Sequence, residues 1–273
     1  MDWLTGAFER YSVAWLLLSA FIGGVIGASV RFFFEDVLRP WLGWRREAKR
    51  IVRRYTVPLV RAADSLERRV NIMIRNETQR WFTNDEYFRF STLYQFGEFL
   101  GWVRILEREI GFLPFESTRR GKDFQRRLFG IFRALCSHAY FRKWDTIGPT
   151  VTEVESSLIP RLMLSAIGEG MTREGQRREV IEFTEFLAAY ADDARFRRSF
   201  QELETFLDEA YRSDPLRWDR LIACGANLRA FVRFLDPAGA MARRRDVANL
   251  EQIAHPEVAK QLHGELRDFA PPK

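Results

Sequence analysis

Glu98 is the first residue in this chain placed where a side chain could do chemistry. It stands among Phe96, Phe99 and Trp102, in a stretch that is otherwise strongly apolar. A carboxylate in such a setting either pairs with an arginine or has its pKa raised by desolvation; the second state suits a proton acceptor in a cleft. The commoner use is structural, with the group ion-paired or partly exposed. The other reactive residue types are sparse. The three histidines, His138, His255 and His263, form no HExxH, and Cys136 and Cys224 belong to no CxxC. No metal and no cofactor are therefore expected. Isolated thiols fit a reducing compartment better than a disulfide scaffold.

Asp192 and Asp193 close the sequence Tyr190-Ala-Asp-Asp. The YxDD pattern holds metal ions where it caps a tight β-hairpin. Here the flanking "EFLAAYADDARFRRSF" has helical periodicity on both sides, so the pair reads as a cap for the following helix. Phe196 occupies the third acidic place that a DDxxD diphosphate site needs. The chain has no GxxxxGK[ST], no strand-bound GxGxxG and no GxSxG, and Gly168-Glu-Gly170 is not a phosphate loop. Glu98, Asp192 and Asp193 are thus candidate polar residues without a catalytic constellation around them, and the chain leans away from being an enzyme.

The elements that must position these residues read as helices throughout. Helical periodicity covers roughly 58–80, 86–112, 119–141, 157–170, 174–191, 195–212 and 215–235, and no segment has the Val/Ile/Thr alternation of a strand. Asp214 can accept from the free N–H groups of the helix it precedes, Pro215 suits a first helical position, and Asp236-Pro237 stops that helix. Ser91–Leu113, apolar on most of its circumference, is expected to be a central helix. The chain has 24 Phe and 8 Trp, enough to fill a large core. Residues 238–273, with "AGAMARRRD" and "FAPPK", read as a loosely ordered tail containing a short helix near 256–266.

Ahead of this body lies "YSVAWLLLSAFIGGVIGASV", Tyr11 to Val30, with no charged residue between Arg10 and Arg31. Its 20 residues would span about 30 Å as a helix, the thickness of a bilayer's hydrocarbon core. A cleaved signal would begin with a positive segment, but Met1–Arg10 contains Asp2, Glu9 and one arginine. Residues 11–34 are therefore read as a transmembrane helix behind a short extracytoplasmic N-terminus, 1–10. Eight Arg/Lys against three Asp/Glu lie between Arg31 and Arg54, which places the following chain on the cytoplasmic side of a bacterial inner membrane. Ala20, Gly23, Gly24, Gly27 and Ala28 share one face of the span, a small-residue stripe through which two copies could pack as a homo-oligomer.

Residues 40–57 form a basic amphipathic juxtamembrane segment. Trp41, Trp44, Ala48, Ile51, Val52 and Tyr55 recur at helical spacing, while Arg45, Arg46, Lys49, Arg50 and Arg53 cover the rest of the circumference. Trp41, Trp44 and those five basic residues would meet a bilayer interface with anionic headgroups. Alternatively the stripe packs in the protein's own core, since it continues as Leu59, Ala62, Leu66, Val70 and Met73. Pro58 is expected to kink or interrupt the helix. Of the net charge of +6, residues 55–273 carry only +2, which argues against a nucleic-acid partner.

Four segments resemble a family of uncharacterised bacterial membrane-anchored helical proteins. These are "YTVPLVRAADSLERRVNI" (Tyr55–Ile72), "STLYQFGEFLGWVRILEREIGFL" (Ser91–Leu113), "AIGEGM" (Ala166–Met171) and "RLIACGANLRAFVRFLDP" (Arg220–Pro237). The family pattern has Gln-Ser where this chain has Glu67-Arg68, and usually a glutamine beside the third segment. The resemblance implies a helical domain behind one N-terminal span and brings no assigned activity.

The expected protein is all-α: one transmembrane helix, then a multi-helix cytoplasmic bundle over 58–237. It would act as an interaction or regulatory module, tethering an unidentified protein partner at the membrane. The competing expectation is a membrane-bound enzyme with a helical active site for an apolar or lipid-like substrate.

Overall fold

A computed structural model describes residues 17, 20, 21, 24, 31, 32, 39–110, 119–141, 149–173, 175, 178–242 and 250–267, with backbone alone for 39–53 and 110. The chain divides into two compact units, Met1–Arg50 and Ile51–Lys273. In the first, the described members of the expected span, Leu17, Ala20, Phe21 and Gly24, are helical and exposed; Gly23, Gly27, Ala28 and most of 11–34 lie outside the described residues. Among the described residues no helix is long and apolar enough to cross a membrane.

The second unit is all-α apart from one minimal hairpin. The helix that enters it, α1 (Arg39–Arg75), belongs to this unit from Ile51 on and runs uninterrupted through Pro58. The expected break does not occur. Proline removes one N–H bond to the carbonyl four residues back. Here that carbonyl belongs to the exposed Arg54, and burial of Tyr55, Leu59 and Val60 holds both flanks in place. From Tyr55 onward the expected stripe is the core face: Leu59, Ala62, Leu66, Val70 and Met73 are buried. The side chains of Trp41, Trp44, Arg45, Arg46, Lys49, Arg50 and Arg53 lie outside those described.

A short helix, α2 (Trp81–Asn84), leads into α3 (Glu86–Ile110). Next come α4 (Arg119–Cys136), a 3₁₀ turn at Ala139–Phe141, α5 (Val151–Ser156) and α6 (Arg161–Gly170). The helix expected over 157–170 thus begins only at Arg161, after Pro160, whose ring disfavours helical geometry in the residue before it, and α5 lies ahead of the expected range. Within the helix expected over 174–191, Glu179–Val180 (β2) instead pairs antiparallel with Thr172–Arg173 (β1). Then follow α7 (Phe183–Asp192), α8 (Ala194–Glu209), α9 (Pro215–Leu235) and α10 (Pro256–Arg267).

The core is one continuous apolar cluster drawing on every long helix of this unit. α9 packs along α4, and α3 packs along α6. The second contact is close: a Cβ on Gly168 would stand 2.8 Å from the carbonyl oxygen of Leu100, so glycine is needed for the two backbones to approach. The expected loose tail does not describe residues 250–267. Val258 and Leu262 of α10 are buried, and Glu265 accepts from Tyr140 Oη at 2.9 Å and pairs with Arg133.

Candidate functional site

The expected polar candidates belong to different elements, Glu98 to α3 and Asp192 and Asp193 to the junction of α7 and α8. Asp193 is the N-cap of α8 and accepts from the backbone N–H of Arg195 at 2.7 Å and of Phe196 at 3.2 Å. Asp192 ends α7 and is exposed. Asp193 is therefore occupied with the first turn of a helix, and among the described residues no group of three His, Cys, Asp or Glu could hold a metal ion.

Glu98, on α3, is partly buried and has no hydrogen-bond or ion-pair partner among the described residues. Burial raises its pKa above the usual carboxylate range. Tyr94, one turn earlier, is pushed up to about 12, by burial first and then by the negative charges of Glu98 and Glu182. The Tyr94 hydroxyl donates to the carbonyl of Ile181 at 3.3 Å. Among the described residues, no arginine partner faces Glu98.

A second set of polar groups lies along α9 and is deeply buried. Asp219 accepts from the backbone N–H of Ala254 at 2.6 Å and of His255 at 3.0 Å, and lies 2.7 Å from His255 Nδ1. Arg220 Nε donates to Ser157 Oγ at 2.9 Å, and its Nη1 donates to the carbonyls of Ala134 at 3.1 Å and Ser137 at 2.8 Å. Nη2 has no hydrogen-bond partner, but the guanidinium carbon lies 4.6 Å from the centre of the Phe141 ring, whose negative face attracts a cation. Desolvation pushes the Arg220 pKa down, and the two carbonyls, the hydroxyl and the ring favour the charged form. Asn227 donates to Tyr140 Oη at 3.1 Å and to the carbonyl of Ala223 at 2.9 Å. These side chains bond mainly to protein. They fasten α9 to α4, to the segment after α5 and to α10.

The opposite condition holds in a cavity of about 250 Å³ between α1 and α3, lined by Ser65, Arg68, Arg69, Ile72 and Gln95. The four α1 residues follow the i, i+3, i+4, i+7 rule and so share one face. Arg68 pairs with Asp64 at 2.9 Å. The Arg69 guanidinium carbon lies 4.3 Å from the Phe88 ring centre, and its nitrogens make no hydrogen bond among the described residues. Its pKa is lowered, by desolvation first, with Tyr87 and Asp85 acting the other way. Gln95 Oε1 is buried and has no hydrogen-bond partner. The Ser65 hydroxyl also makes no hydrogen bond among the described residues. Three polar groups with free capacity therefore converge on one opening, and none of the five residues is a general base of ordinary pKa. That arrangement suits binding rather than bond-making.

Sequence reading missed this cavity. The four-residue stripe in "SLERRVNI" was legible as spacing, but Gln95 lies on another helix and nothing local marks the pairing. No protein-family model, no curated protein and no solved structure matches the chain.

Proposed function

We propose that this chain is a single-pass, membrane-anchored helical module that binds a protein partner at the cytoplasmic face of a bacterial inner membrane. The observation that carries the reading is the charge-free run from Tyr11 to Val30, of bilayer length, followed within Arg31–Arg54 by eight basic residues against one before it. Anchoring confines the helical unit to a surface and raises its effective concentration toward partners held there. Trp41 and Trp44 would sit at headgroup depth, with Arg45, Arg46, Lys49, Arg50 and Arg53 toward anionic lipid phosphates. Self-association would run through Ala20, Gly23, Gly24, Gly27 and Ala28. The continuous apolar core of the 51–273 unit, and the bonds that tie Asp219 and Arg220 of α9 to neighbouring segments, support a binding role.

The test is membrane fractionation of the full chain after alkaline carbonate washing, combined with protease treatment of intact spheroplasts. The chain should stay in the pellet, and the helical unit should be cut only after lysis. Intact protein in the wash supernatant would refute the anchor. Digestion before lysis would refute the orientation.

The enzyme reading is favoured by one observation, the unpaired and partly buried Glu98 with its raised pKa. Incubation of the full chain with isotopically labelled membrane lipids, followed by mass spectrometry, addresses it. A new product lost in Glu98→Gln would replace the tethering proposal with this one.

A further inference from the structure

We propose that the cavity between α1 and α3 is a binding site for a small phosphorylated polyol, a group of about the size of glycerol phosphate. The inference rests on the described residues 65–95 and not on the anchored reading.

The residues point first to an anion. Among the described residues, Arg69 has no carboxylate or carbonyl on its nitrogens, and the Ser65 hydroxyl, one turn away on the same face, is also unspent. Arg68 adds a second guanidinium, fixed from its other side by Asp64 at 2.9 Å. Two guanidinium groups and a hydroxyl offer more donors than the two oxygens of a carboxylate can use. The three terminal oxygens of a phosphate monoester match them better, and arginine's planar fork suits phosphate.

The second element is a hydroxyl on the ligand. Gln95 Oε1 is buried with no hydrogen-bond donor among the described residues, a state that is costly unless something fills it. A ligand hydroxyl both donates and accepts, so it satisfies the carboxamide in either orientation of its oxygen and nitrogen. Ile72 supplies an apolar wall for the carbon chain between phosphate and hydroxyl.

The third element is size. A volume of about 250 Å³ equals roughly eight waters at liquid density, room for about ten non-hydrogen atoms. Glycerol phosphate, with ten non-hydrogen atoms, is of this size. The same chemistry occurs in a free polyol phosphate and in the headgroup of phosphatidylglycerol.

Both sources are separated by one titration. The full chain in a nonionic detergent is titrated with sn-glycerol 3-phosphate by calorimetry, with and without phosphatidylglycerol in the micelles. One saturable site is expected, half-filled below about 1 mM. Arg69→Gln should weaken it at least tenfold. Ser65→Leu, which blocks the opening and leaves both arginines in place, should abolish it while the circular dichroism spectrum is unchanged. If phosphatidylglycerol raises the apparent dissociation constant tenfold or more in the wild type, the headgroup is the occupant; if the constant is unmoved, the free compound is. Absence of saturable binding without the lipid overturns the proposal. So does binding that both variants retain at wild-type strength.

Discussion

Glu67 and Arg229 form an ion pair across the α1–α9 contact, and their side chains are 3% and 5% exposed. One Arg229 nitrogen bonds Glu67, while Nη1 has no hydrogen-bond partner, so part of the guanidinium's desolvation is uncompensated. Removing one partner strands the other charge in the core, which costs about 3–5 kcal/mol. Against a total stability of about 5–15 kcal/mol, that is a large fraction. For a domain of this size each kcal/mol lowers the melting temperature by about 2–4 °C, so Glu67→Leu should melt roughly 6–20 °C below wild type. Arg229→Met should behave similarly. The double variant, with two apolar side chains of comparable volume, has no buried charge to strand and should recover to within a few degrees of wild type, or exceed it. Thermal unfolding of the full chain in nonionic detergent, followed by near-ultraviolet circular dichroism, measures all four corners of the cycle. Additive costs in the double variant would refute the reasoning, because the pair would then not be coupled.

Further outcomes follow from other groups. Glu98 has a folded pKa above its unfolded value, so the folded state holds its proton longer and stability falls as pH rises between the two; Glu98→Gln should remove that fall and stabilise the protein at neutral pH, as seen in urea titrations at pH 4 and 7. Asp236 behaves in the opposite sense. Backbone N–H groups of Ala240, Met241 and Ala242 hold its carboxylate below the ordinary range, so its contribution is present above the unfolded pKa and is lost as pH falls through the folded one; Asp236→Ala should speed proteolysis at 237–242 at neutral pH. Gly168→Ala should destabilise by more than the small effect of an exposed helix substitution, because the new methyl group meets the Leu100 carbonyl; denaturant midpoints will show it. Gly23→Leu with Gly27→Leu should abolish chemical crosslinking between copies of the anchored chain, and unchanged crosslinking would remove the glycine face as an oligomer contact.

The legible parts of the fold were those whose signals are local. α9 spans Pro215–Leu235 as expected because its stops are chemical: Asp214 accepts from Arg217 N–H at 3.1 Å, Pro215 fixes the first turn, and Asp236-Pro237 ends it. Its burial was not legible. Ser91–Leu113 looked like the central helix because it is apolar nearly all round, yet α9 is buried on almost every side despite Asp219, Arg220, Asn227 and Arg229. Charge in a sequence reads as surface until its partner is known, and the distant partners of these residues lie 35 to 162 residues away. The hairpin at 172–180 carries two residues per strand, too few for an alternation to show. The α1–α3 cavity shares the long-range problem, since Ser65, Arg68, Arg69 and Ile72 are a visible stripe and Gln95 is not.

Parts of four segments, Tyr55–Ile72, Ser91–Ile110, Ala166–Met171 and Arg220–Pro237, meet one another in space. Val70 of the first faces Gly225 of the fourth, at 3.0 Å from where a Cβ would stand, and Glu67 pairs with Arg229 one turn further on. Tyr55 of the first packs against Trp102 of the second at 6.2 Å between ring centres, and Phe99 of the second meets Phe231 of the fourth edge-on at 6.3 Å. Gly97 and Leu100 of the second receive Met171 and Gly168 of the third. These four segments therefore carry packing surfaces of α1, α3, α6 and α9, where side-chain volume is constrained from both sides. Contacts of this kind specify how four helices fit and are silent on what they bind. Function has to be sought where side chains face away from those contacts with capacity unspent. Among the described residues, the groove at Ser65, Arg69 and Gln95 meets that condition on α1 and α3 themselves: the same two helices give one face to the core and this one to a ligand.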